Sequence, residues 1–337
     1  MKKNVIIIGA TGFGGLGLIE ILLRHPNFKI KQLIARKDTG KDINDIFPSL
    51  KGFISMPVQD MSEIIYEDID LVFFSTPDRA GMSIIREFTS RDIKVIDYSG
   101  DFRFNSSDDY SIYAQNKSID TVHLAPELLK NSVYGLIEKN REQIKNAKII
   151  GNPGCFAISM ILGILPAVEN GIVTDDKIIC DGKSGVSGAG KNPGEANFYP
   201  QRHENVNTYR EGRHQHLVEV ENVINKHSVK KHQIFFIPQV VPMTRGILST
   251  IYFSCPEGMN QKKLTGIYKK YYENEKFVMI TDHSPGTCEV KGSNFCKIRP
   301  AWDERTRTAV IISVIDNLMK GQSGNAVQTA NIIFGFE

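Results

Sequence analysis

A glycine-rich turn lies between a predicted strand and a predicted helix at the start of the chain. The run Asn4-Val-Ile-Ile-Ile-Gly9 is short and β-branched, which is typical of a buried parallel strand. The turn Gly9-Ala-Thr-Gly-Phe-Gly-Gly15 follows, and apolar residues then recur at helical spacing between Leu16 and Arg24. A second strand is predicted from Phe28 to Ala35. This order of elements constrains the chain to an α/β fold with parallel strands.

The same turn has the properties of a dinucleotide-binding loop. A pyrophosphate must approach the backbone closely, which residues without a Cβ permit, and a helix N-terminus supplies free N–H groups. A tight turn without a ligand is the alternative, but the strands and the helix around the turn favour a cofactor. The residues expected to contact this cofactor are Gly9, Thr11, Gly12, Phe13, Gly14 and Gly15.

The end of the second predicted strand indicates which dinucleotide binds. An NAD enzyme typically places an acidic residue there to hold the ribose 2′-hydroxyl. This chain has Arg36 and Lys37 instead, and its first carboxylate is Asp38. Two cations suit a 2′-phosphate, although a basic dipeptide also occurs often as a solvated surface pair. We therefore expect NADP(H) as the cofactor, held in part by Arg36 and Lys37.

Strands and helices continue to alternate along the first half of the chain. Short apolar runs at Asp70–Ser75 and Lys94–Asp97 flank a helical stretch from Ala80 to Thr89. This alternation predicts a doubly wound parallel sheet of the Rossmann type.

Length and composition exclude several classes of protein. A chain of 337 residues favours two domains, and 41% hydrophobic residues exclude disorder as the main state. A net charge of +3 without a basic block argues against nucleic-acid binding, and no apolar run is long enough to cross a membrane. The five cysteines form no CxxC pair and no signal peptide precedes them, which indicates reduced thiols in a cytoplasmic protein.

One cysteine stands at a position suited to catalysis. The segment from Lys148 to Ile150 is predicted as a strand, Asn152-Pro-Gly-Cys155 as a turn, and Ala157 to Leu165 as a helix that ends before Pro166. Cys155 would then lie at a helix N-terminus, where the dipole lowers a thiol pKa and the free amides can hold an oxyanion. A buried structural cysteine is the alternative, which we accept for Cys180 and Cys255.

A dense group of ionisable residues could supply the partner of a nucleophilic cysteine. His214, His216 and Glu219 lie close enough in sequence that a helix starting there would cluster them. A metal site would want a further Cys or His at ligand spacing, so none is expected. A polar surface turn and a partnership with Cys155 both remain open from spacing alone.

Blocks of residues along the whole chain resemble the semialdehyde dehydrogenase family, and within it the N-acetyl-γ-glutamyl-phosphate reductases of arginine synthesis. The blocks that carry the resemblance occur in the family's order: Gly9–Gly15, Asp101–Phe104, Ala125–Glu127, Val133–Leu136, Asn152–Cys155, Lys183–Gly190, His214–His216, Val241–Leu248 and Ile315–Gly321. Those after residue 150 are the specific ones.

The resemblance implies a reaction and roles for single residues. Cys155 would displace phosphate from a small-molecule acyl phosphate, NADPH would reduce the resulting thioester, and a semialdehyde would leave. His214 would be the acid/base and Glu219 would orient an imidazole. The expected substrate-binding residues are Arg103, Asn152, His216 and Arg245. The further cofactor-binding residues are Ser187, Gly188 and Asn317.

The chain also departs from the family pattern. Ser75-Thr-Pro-Asp-Arg79 replaces a block in which family members often carry a histidine, Gln215 stands where arginine is usual, and the segment from Lys191 to Glu211 fits poorly. These departures affect the acyl group rather than the chemistry. The alternatives are a reductase of a carrier-linked aminoadipyl phosphate in lysine synthesis, an aspartate-semialdehyde dehydrogenase, and a nucleotide-binding regulator without catalysis.

The expected architecture is a Rossmann domain plus an α/β substrate domain. The first would comprise residues 1–152 with 314–337, the returning segment opening with a helix-like run from Val314 to Lys320. The second would comprise residues 153–313. By resemblance, the second domain carries a mixed, antiparallel-rich sheet that also joins subunits into a homodimer or homotetramer. The strand-like runs Lys177–Cys180, Gln233–Ile237 and Ile247–Phe253 are expected to form it.

Overall fold

A computed structural model describes residues 2–194 and 197–336 of the chain. The chain divides into two compact units. The first contains residues up to Gln115, Ile119–Pro153 and residues from Gln322 onward, and the second contains Asn116–Ser118 and Gly154–Gly321.

The first unit is built on a parallel sheet of seven strands. Its strands are β1 (Lys3–Ile8), β2 (Phe28–Ile34), β3 (Val58–Gln59), β4 (Leu71–Phe74), β5 (Lys94–Asp97), β6 (Ser132–Tyr134) and β7 (Ile149–Gly151). They lie in the order β3-β2-β1-β4-β5-β7-β6, and every pair is parallel. The predicted Rossmann-type parallel sheet is confirmed.

Helices accompany these strands, including the two that the sequence predicts, after Leu16 and from Ala80 to Thr89. They are α1 (Phe13–Leu23), α2 (Ile43–Ile46), α3 (Ala80–Thr89), α4 (Ser107–Lys117) and α5 (Ile137–Lys145), with α10 (Gly324–Phe334) near the end of the chain. Helix α10 packs against α1 and α5, and its buried Ala326, Val327 and Ala330 join the core formed by β1 and β2. The end of the chain therefore completes the core of the first unit.

The second unit contains a mixed sheet of seven strands. Its strands are β8 (Lys177–Ser184), β9 (Asn207–Thr208), β10 (Gln233–Val240), β11 (Ile247–Ser254), β12 (Val278–Ile280), β13 (Cys296–Asp303) and β14 (Thr308–Ile315). In the order β12-β13-β14-β11-β8-β10-β9, only the pairs β12–β13 and β8–β10 are parallel. The expectation of a mixed, antiparallel-rich sheet is confirmed.

Four helices belong wholly to the second unit, among the residues that the structure describes: α6 (Cys155–Glu169), α7 (Tyr199–Arg202), α8 (His216–Lys226) and α9 (Gln261–Tyr271). Helix α6 is apolar on all sides and packs on β11, β14, α8 and α9. Along β8 and β10 the side chains alternate between this buried side and an exposed side, where Ile179 and Phe235 remain 45% and 46% exposed.

Helix α6 continues through Pro166, so the prediction that it ends before this proline is wrong. A proline inside a helix deprives the carbonyl four residues earlier of its usual N–H donor. Here that carbonyl belongs to Leu162, and it accepts a hydrogen bond from the Tyr272 hydroxyl at 2.6 Å. Because a side chain satisfies this carbonyl, the helix runs on to Glu169.

The predicted helix from Val314 to Lys320 is also wrong. Val314 pairs with Leu248 and with Lys297 at the end of strand β14, since it continues a run of β-branched residues between two neighbouring strands. The second unit accordingly extends to Gly321, whereas the predicted second domain ends at residue 313.

Candidate active site

Cys155 is the first residue of helix α6. Gly154 is the N-cap residue, has extended backbone torsions and makes no side-chain cap hydrogen bond to the first N–H groups of the helix. The thiol is partly exposed, whereas the sulfurs of Cys180, Cys255 and Cys296 belong to buried residues. A helix N-terminus stabilises a thiolate, and Cys155 therefore lies where a nucleophilic cysteine is favoured.

Glu219 approaches the cysteine turn from helix α8. Its carboxylate is 1% exposed and accepts a hydrogen bond from the Gly154 N–H at 3.0 Å. A buried carboxylate is costly unless it is hydrogen-bonded, and this bond fixes both the carboxylate and the turn. The structure thus places Glu219 beside the Cys155 turn, and its expected role of orienting an imidazole stays a prediction.

His216 packs directly against the same turn. A Cβ placed on Gly154 would lie 2.2 Å from the His216 Nε2 atom, which is closer than atoms can approach. Glycine at position 154 is therefore what allows this imidazole to lie beside the residue that precedes Cys155. His216 is buried and is the first residue of α8.

His214 precedes helix α8 and packs against His216. The two ring centroids are 4.7 Å apart with the ring planes at 72°, and His214 also contacts the rings of Phe156, Tyr209 and Phe236. Helix α8 begins at His216 rather than at His214, and the two imidazoles lie together.

The surroundings of His214 favour a neutral imidazole with a defined tautomer. Its Nδ1 accepts a hydrogen bond from the backbone N–H of His216 at 3.2 Å, so the proton of the neutral ring lies on Nε2. Burial, followed by the positive charges of Arg210 and Lys117, lowers the pKa of His214 to about 3. His214 is therefore a neutral hydrogen-bond donor near pH 7.

Gly321 lies against Cys155 on another side. A Cβ on Gly321 would be 2.8 Å from the Cys155 Cβ, and the Gly321 N–H donates to the Asp316 carbonyl at 2.9 Å. Gly321 ends one of the blocks that resemble the family, but no role was predicted for it from the sequence. A glycine at such a position indicates that another part of the chain approaches the backbone closely.

Arg245 and Asn317 are held in a network of hydrogen bonds. Arg245 pairs with the buried carboxylate of Asp316 at 3.1 Å and keeps 26% of its side chain exposed. Asn317 accepts a bond from the Gly246 N–H at 2.8 Å and donates to the Ser187 hydroxyl at 2.9 Å. The structure thus brings Arg245, Asn317 and Ser187 together, and their contacts with substrate or cofactor stay predictions.

The short turn Val186–Ala189 contains two of the predicted cofactor residues. Ser187 is buried, while Gly188 is exposed and has space around it, since a Cβ there would meet only the Ser184 Oγ at 3.4 Å. The N–H groups of Val186 and Ser187 donate to the carbonyls of Met243 and Thr244. This pairing fixes the turn beside the segment that carries Arg245.

In the first unit, the glycines of the first turn divide into two kinds. Gly9 has a φ of +85°, and Cβ atoms on Gly9, Gly14 or Gly15 would lie 2.2–2.5 Å from neighbouring atoms. These three positions are therefore required by packing. Gly12 differs, because a Cβ there would meet only the Gly9 carbonyl oxygen at 3.6 Å.

The turn therefore fits a bound dinucleotide. Gly12 is the N-cap of α1 and makes no side-chain cap, so the first N–H groups of the helix lack a side-chain acceptor from the N-cap. A glycine that packing does not require, at a helix N-terminus after a parallel strand, matches the cradle of a pyrophosphate. Thr11 and Phe13 flank Gly12 and are partly exposed.

Arg36 and Lys37 follow strand β2 and are both exposed. Among the residues that the structure describes, no ion pair involves either side chain, whereas Asp38 pairs with Lys41 at 2.7 Å. Both cations are therefore accessible to an anionic ligand at this strand end, and their contact with a 2′-phosphate stays a prediction.

Arg103 and Asn152 occupy one hydrogen-bond network of the first unit. The Arg103 guanidinium donates to the carbonyls of Asn152 and Tyr98 at 2.8 and 2.6 Å. The buried Asn152 side chain accepts from Asn325 Nδ2 at 2.8 Å and donates to the Gln322 carbonyl at 3.3 Å. Both residues stabilise the turn that leads to Cys155, and their contacts with substrate stay predictions.

Residues 2–194 and 197–336 contain no group of three or more His, Cys, Asp or Glu side chains arranged to hold a metal ion. None of their helices combines the length and apolar character needed to span a membrane.

Comparison with known families assigns both halves of the chain. Residues 4–147 match the NAD-binding domain of semialdehyde dehydrogenase, and residues 155–317 match the semialdehyde dehydrogenase dimerisation domain. Together these matches cover most of the chain, and the second begins at Cys155.

Relatives with assigned names match over nearly the whole length. N-acetyl-gamma-glutamyl-phosphate reductases of Bacillus cereus (strain B4264) and Thermoanaerobacter pseudethanolicus are 38% and 41% identical, over 99% of this chain and 96% of theirs. Among solved structures, aspartate semialdehyde dehydrogenase II of Vibrio cholerae, complexed with ASA, superposes with a TM-score of 0.74 at 19% identity, over 99% of both chains. This chain belongs to the semialdehyde dehydrogenase family.

Proposed function

We propose that the protein reduces N-acetyl-γ-glutamyl phosphate to N-acetyl-glutamate semialdehyde and phosphate, with NADPH as the reductant. The relatives with this name match the chain from end to end at 38–41% identity. The observation that carries the proposal is the turn at Cys155, where a partly exposed thiol at a helix N-terminus lies with Glu219 and His216 around one glycine.

Cys155 is the nucleophile of this reaction. Its thiolate attacks the acyl carbon and the C–O bond to phosphate breaks, which leaves a thioester on the sulfur. NADPH, when bound, supplies the hydride that reduces this thioester. The tetrahedral oxyanion then collapses, the C–S bond breaks, and the aldehyde leaves as the thiolate is restored.

His214 stabilises the charge that develops on the substrate oxygen. As a neutral ring with its proton on Nε2, it donates a hydrogen bond to the oxyanion. Neutral histidine in this role avoids the repulsion that a cation would meet from Arg210 and Lys117. Glu219 positions the turn and its neighbouring imidazole, and His216 contacts substrate.

The cofactor is NADP(H). The first turn of the chain, centred on Gly12, holds the pyrophosphate, and Arg36 and Lys37 hold the 2′-phosphate through charge-assisted hydrogen bonds. Ser187, Gly188 and Asn317 are further cofactor-binding residues, and Asn317 meets the nicotinamide carboxamide. Arg103 and Arg245 bind the anionic groups of the substrate, since a planar guanidinium suits both carboxylate and phosphate.

The enzyme acts as a homo-oligomer whose subunits meet through the mixed sheet. The part of the chain that carries this sheet matches a domain described as the dimerisation domain. The exposed side of β8 and β10 carries Ile179 and Phe235, which are directly paired across the two strands. Burial of such apolar side chains against a second copy is favourable.

The test is phosphate-dependent reduction of NADP⁺ by the purified protein with N-acetyl-glutamate semialdehyde. We expect turnover in the wild type, loss of turnover in Cys155→Ser, and normal turnover in Cys288→Ser, which removes an exposed cysteine. Aspartate semialdehyde and a carrier-linked aminoadipate semialdehyde are assayed in parallel. If either is turned over faster than N-acetyl-glutamate semialdehyde, that compound is the substrate. NADPH binding without turnover of any semialdehyde would indicate a regulator.

A further inference from the structure

Arg202 is a buried arginine that forms no ion pair with the described residues. It is the last residue of helix α7, is 9% exposed, and belongs to the segment that joins the turn Val186–Ala189 to His214. Its Nε and Nη1 atoms are buried and have no hydrogen-bond partner. Within the described part of the chain, no carboxylate forms an ion pair with it.

This state is unfavourable for the protein alone. A guanidinium is always charged and carries five N–H donors, and removing them from water without acceptors costs free energy. Buried arginines in folded proteins are therefore paired with carboxylates or other acceptors. An oxyanion of a ligand would supply acceptors for the two buried donor atoms that the described residues leave unpaired.

Other arginines of the same unit do not share this feature. Arg245 is paired with Asp316, and Arg210 donates to the Gln215 side chain at 2.8 Å. Arg213 lies on the same segment as Arg202 but is exposed, so water satisfies its donors. The unmatched buried donors of Arg202 are thus a property of this position.

The segment that contains Arg202 leads along the edge of the sheet to the candidate active site. Asn207 and Thr208 pair with Val240 and Gln239 of strand β10. The N–H groups of Tyr209 and Gly212 then donate to the carbonyls of Pro238 and Phe236. Because these bonds fix the path from residue 207 to His214, Arg202 lies near the start of one anchored segment whose other end supplies the imidazole.

We propose that Arg202 binds an oxyanion of the substrate, either its carboxylate or its phosphate group. This inference rests on the proposed function, because an acylated glutamyl phosphate carries both groups. A planar guanidinium forms charge-assisted hydrogen bonds with either oxyanion, and it pairs better there than a lysine would. Arg202 then determines substrate specificity, and it belongs to the segment from Lys191 to Glu211, which fits the family pattern poorly.

The first experiment measures anion binding without catalysis. Thermal melting of the wild type, Arg202→Met and Arg213→Gln is followed in chloride, in inorganic phosphate and in N-acetyl-L-glutamate at equal ionic strength. We expect the wild type and Arg213→Gln to be stabilised by at least one of the two oxyanions. Arg202→Met should melt no lower than the wild type in chloride, because it removes an unpaired buried charge, and should lose the stabilisation by the oxyanion.

The second experiment identifies which oxyanion binds. In Arg202→Gln, the KM for phosphate or the KM for the semialdehyde should rise about ten- to hundredfold, as expected for a lost charge-assisted hydrogen bond. A rise for phosphate assigns the phosphate group, a rise for the aldehyde assigns the carboxylate, and Arg202→Lys should recover part of the loss.

The proposal is overturned if Arg202→Met melts lower than the wild type in chloride while it keeps the oxyanion stabilisation, since Arg202 would then be structural. It is also overturned if neither oxyanion stabilises the wild type. Absence of turnover in the wild type with every semialdehyde would contradict the proposed function alone, because the melting experiment does not require catalysis.

Discussion

The backbone N–H of His216 donates to the Nδ1 atom of His214 at 3.2 Å. This bond occupies the acceptor nitrogen of His214 and leaves its Nε2–H as a donor. The two histidines are two residues apart, and their rings touch because the helix begins at His216 rather than at His214. The pair therefore acts as a unit in which His216 fixes the tautomer of His214.

Replacing the two histidines should affect different kinetic constants. His214→Asn removes the Nε2–H donor at the developing oxyanion, so kcat should fall by about 10²–10⁴-fold. His216→Asn keeps the backbone N–H that holds His214, so it should mainly raise the KM for substrate. The reverse pattern would assign the oxyanion donor to His216.

The buried neutral state of His214 should make the protein less stable in acid. The pKa of His214 is lowered to about 3 in the fold, whereas the pKa of a histidine in the unfolded chain is about 6.5. The unfolded chain therefore binds more protons between these values, and stability falls as the pH drops below about 6.5.

Between pH 7 and pH 5 this loss should amount to about 2 kcal/mol of unfolding free energy. Urea unfolding at both pH values would measure it, and His214→Asn should lose less stability than the wild type over this range. His203→Asn is the matched control, because His203 is exposed. An equal pH dependence in His214→Asn and the wild type would contradict the neutral assignment.

The close approach of Gly321 to Cys155 predicts a sensitive position. A methyl group at residue 321 would lie 2.8 Å from the Cys155 Cβ, so Gly321→Ala should displace the cysteine and lower kcat on the order of 10²-fold. The variant should still fold, as measured by its melting temperature. Gly266→Ala is the control, because nothing lies within 4 Å of a Cβ there, and it should keep full activity. Normal activity in Gly321→Ala would show that the backbone at residue 321 yields.

Strand and helix patterns predicted the elements of the first unit well because each element contains its own signal. Helix α3 has the predicted bounds of Ala80–Thr89, and strand β5 those of Lys94–Asp97. The failures at Pro166 and Val314 share a cause. Tyr272 lies far from Pro166 in sequence, and the neighbours of Val314 are Leu248 and Lys297, so the deciding contacts are not local.

The candidate site was predictable where the chemistry depends on residue type and local turns. The turn before Cys155 could be recognised from glycine and proline, and the histidine pair from its spacing. The contact between Gly321 and Cys155 joins positions 166 residues apart, and the unpaired state of Arg202 depends on packing. Neither property can be predicted from a local sequence pattern.

The cations after strand β2 should distinguish the two nicotinamide cofactors. Arg36→Glu should weaken NADPH binding by about ten- to hundredfold and leave NADH binding nearly unchanged, because only NADPH carries the 2′-phosphate. Dissociation constants from fluorescence titration would measure both. Lys31→Glu makes the same charge change at an exposed position within strand β2 and should affect neither cofactor strongly. Equal weakening for NADPH and NADH would place the 2′-phosphate elsewhere, with Lys37 as the next candidate.

The exposed side of the mixed sheet should control the oligomeric state. Phe235 and Ile179 are paired on the neighbouring strands β10 and β8, and nearly half of each side chain is exposed in the single chain. Burial of this apolar pair in a subunit interface would be opposed by a charge at its centre. Phe235→Glu should therefore lower the mass measured by light scattering at micromolar concentration from that of a dimer or tetramer to that of a monomer. Val229→Glu, at a fully exposed position of the same unit, should leave the mass unchanged. If Phe235→Glu keeps the wild-type mass, the subunits meet through another surface.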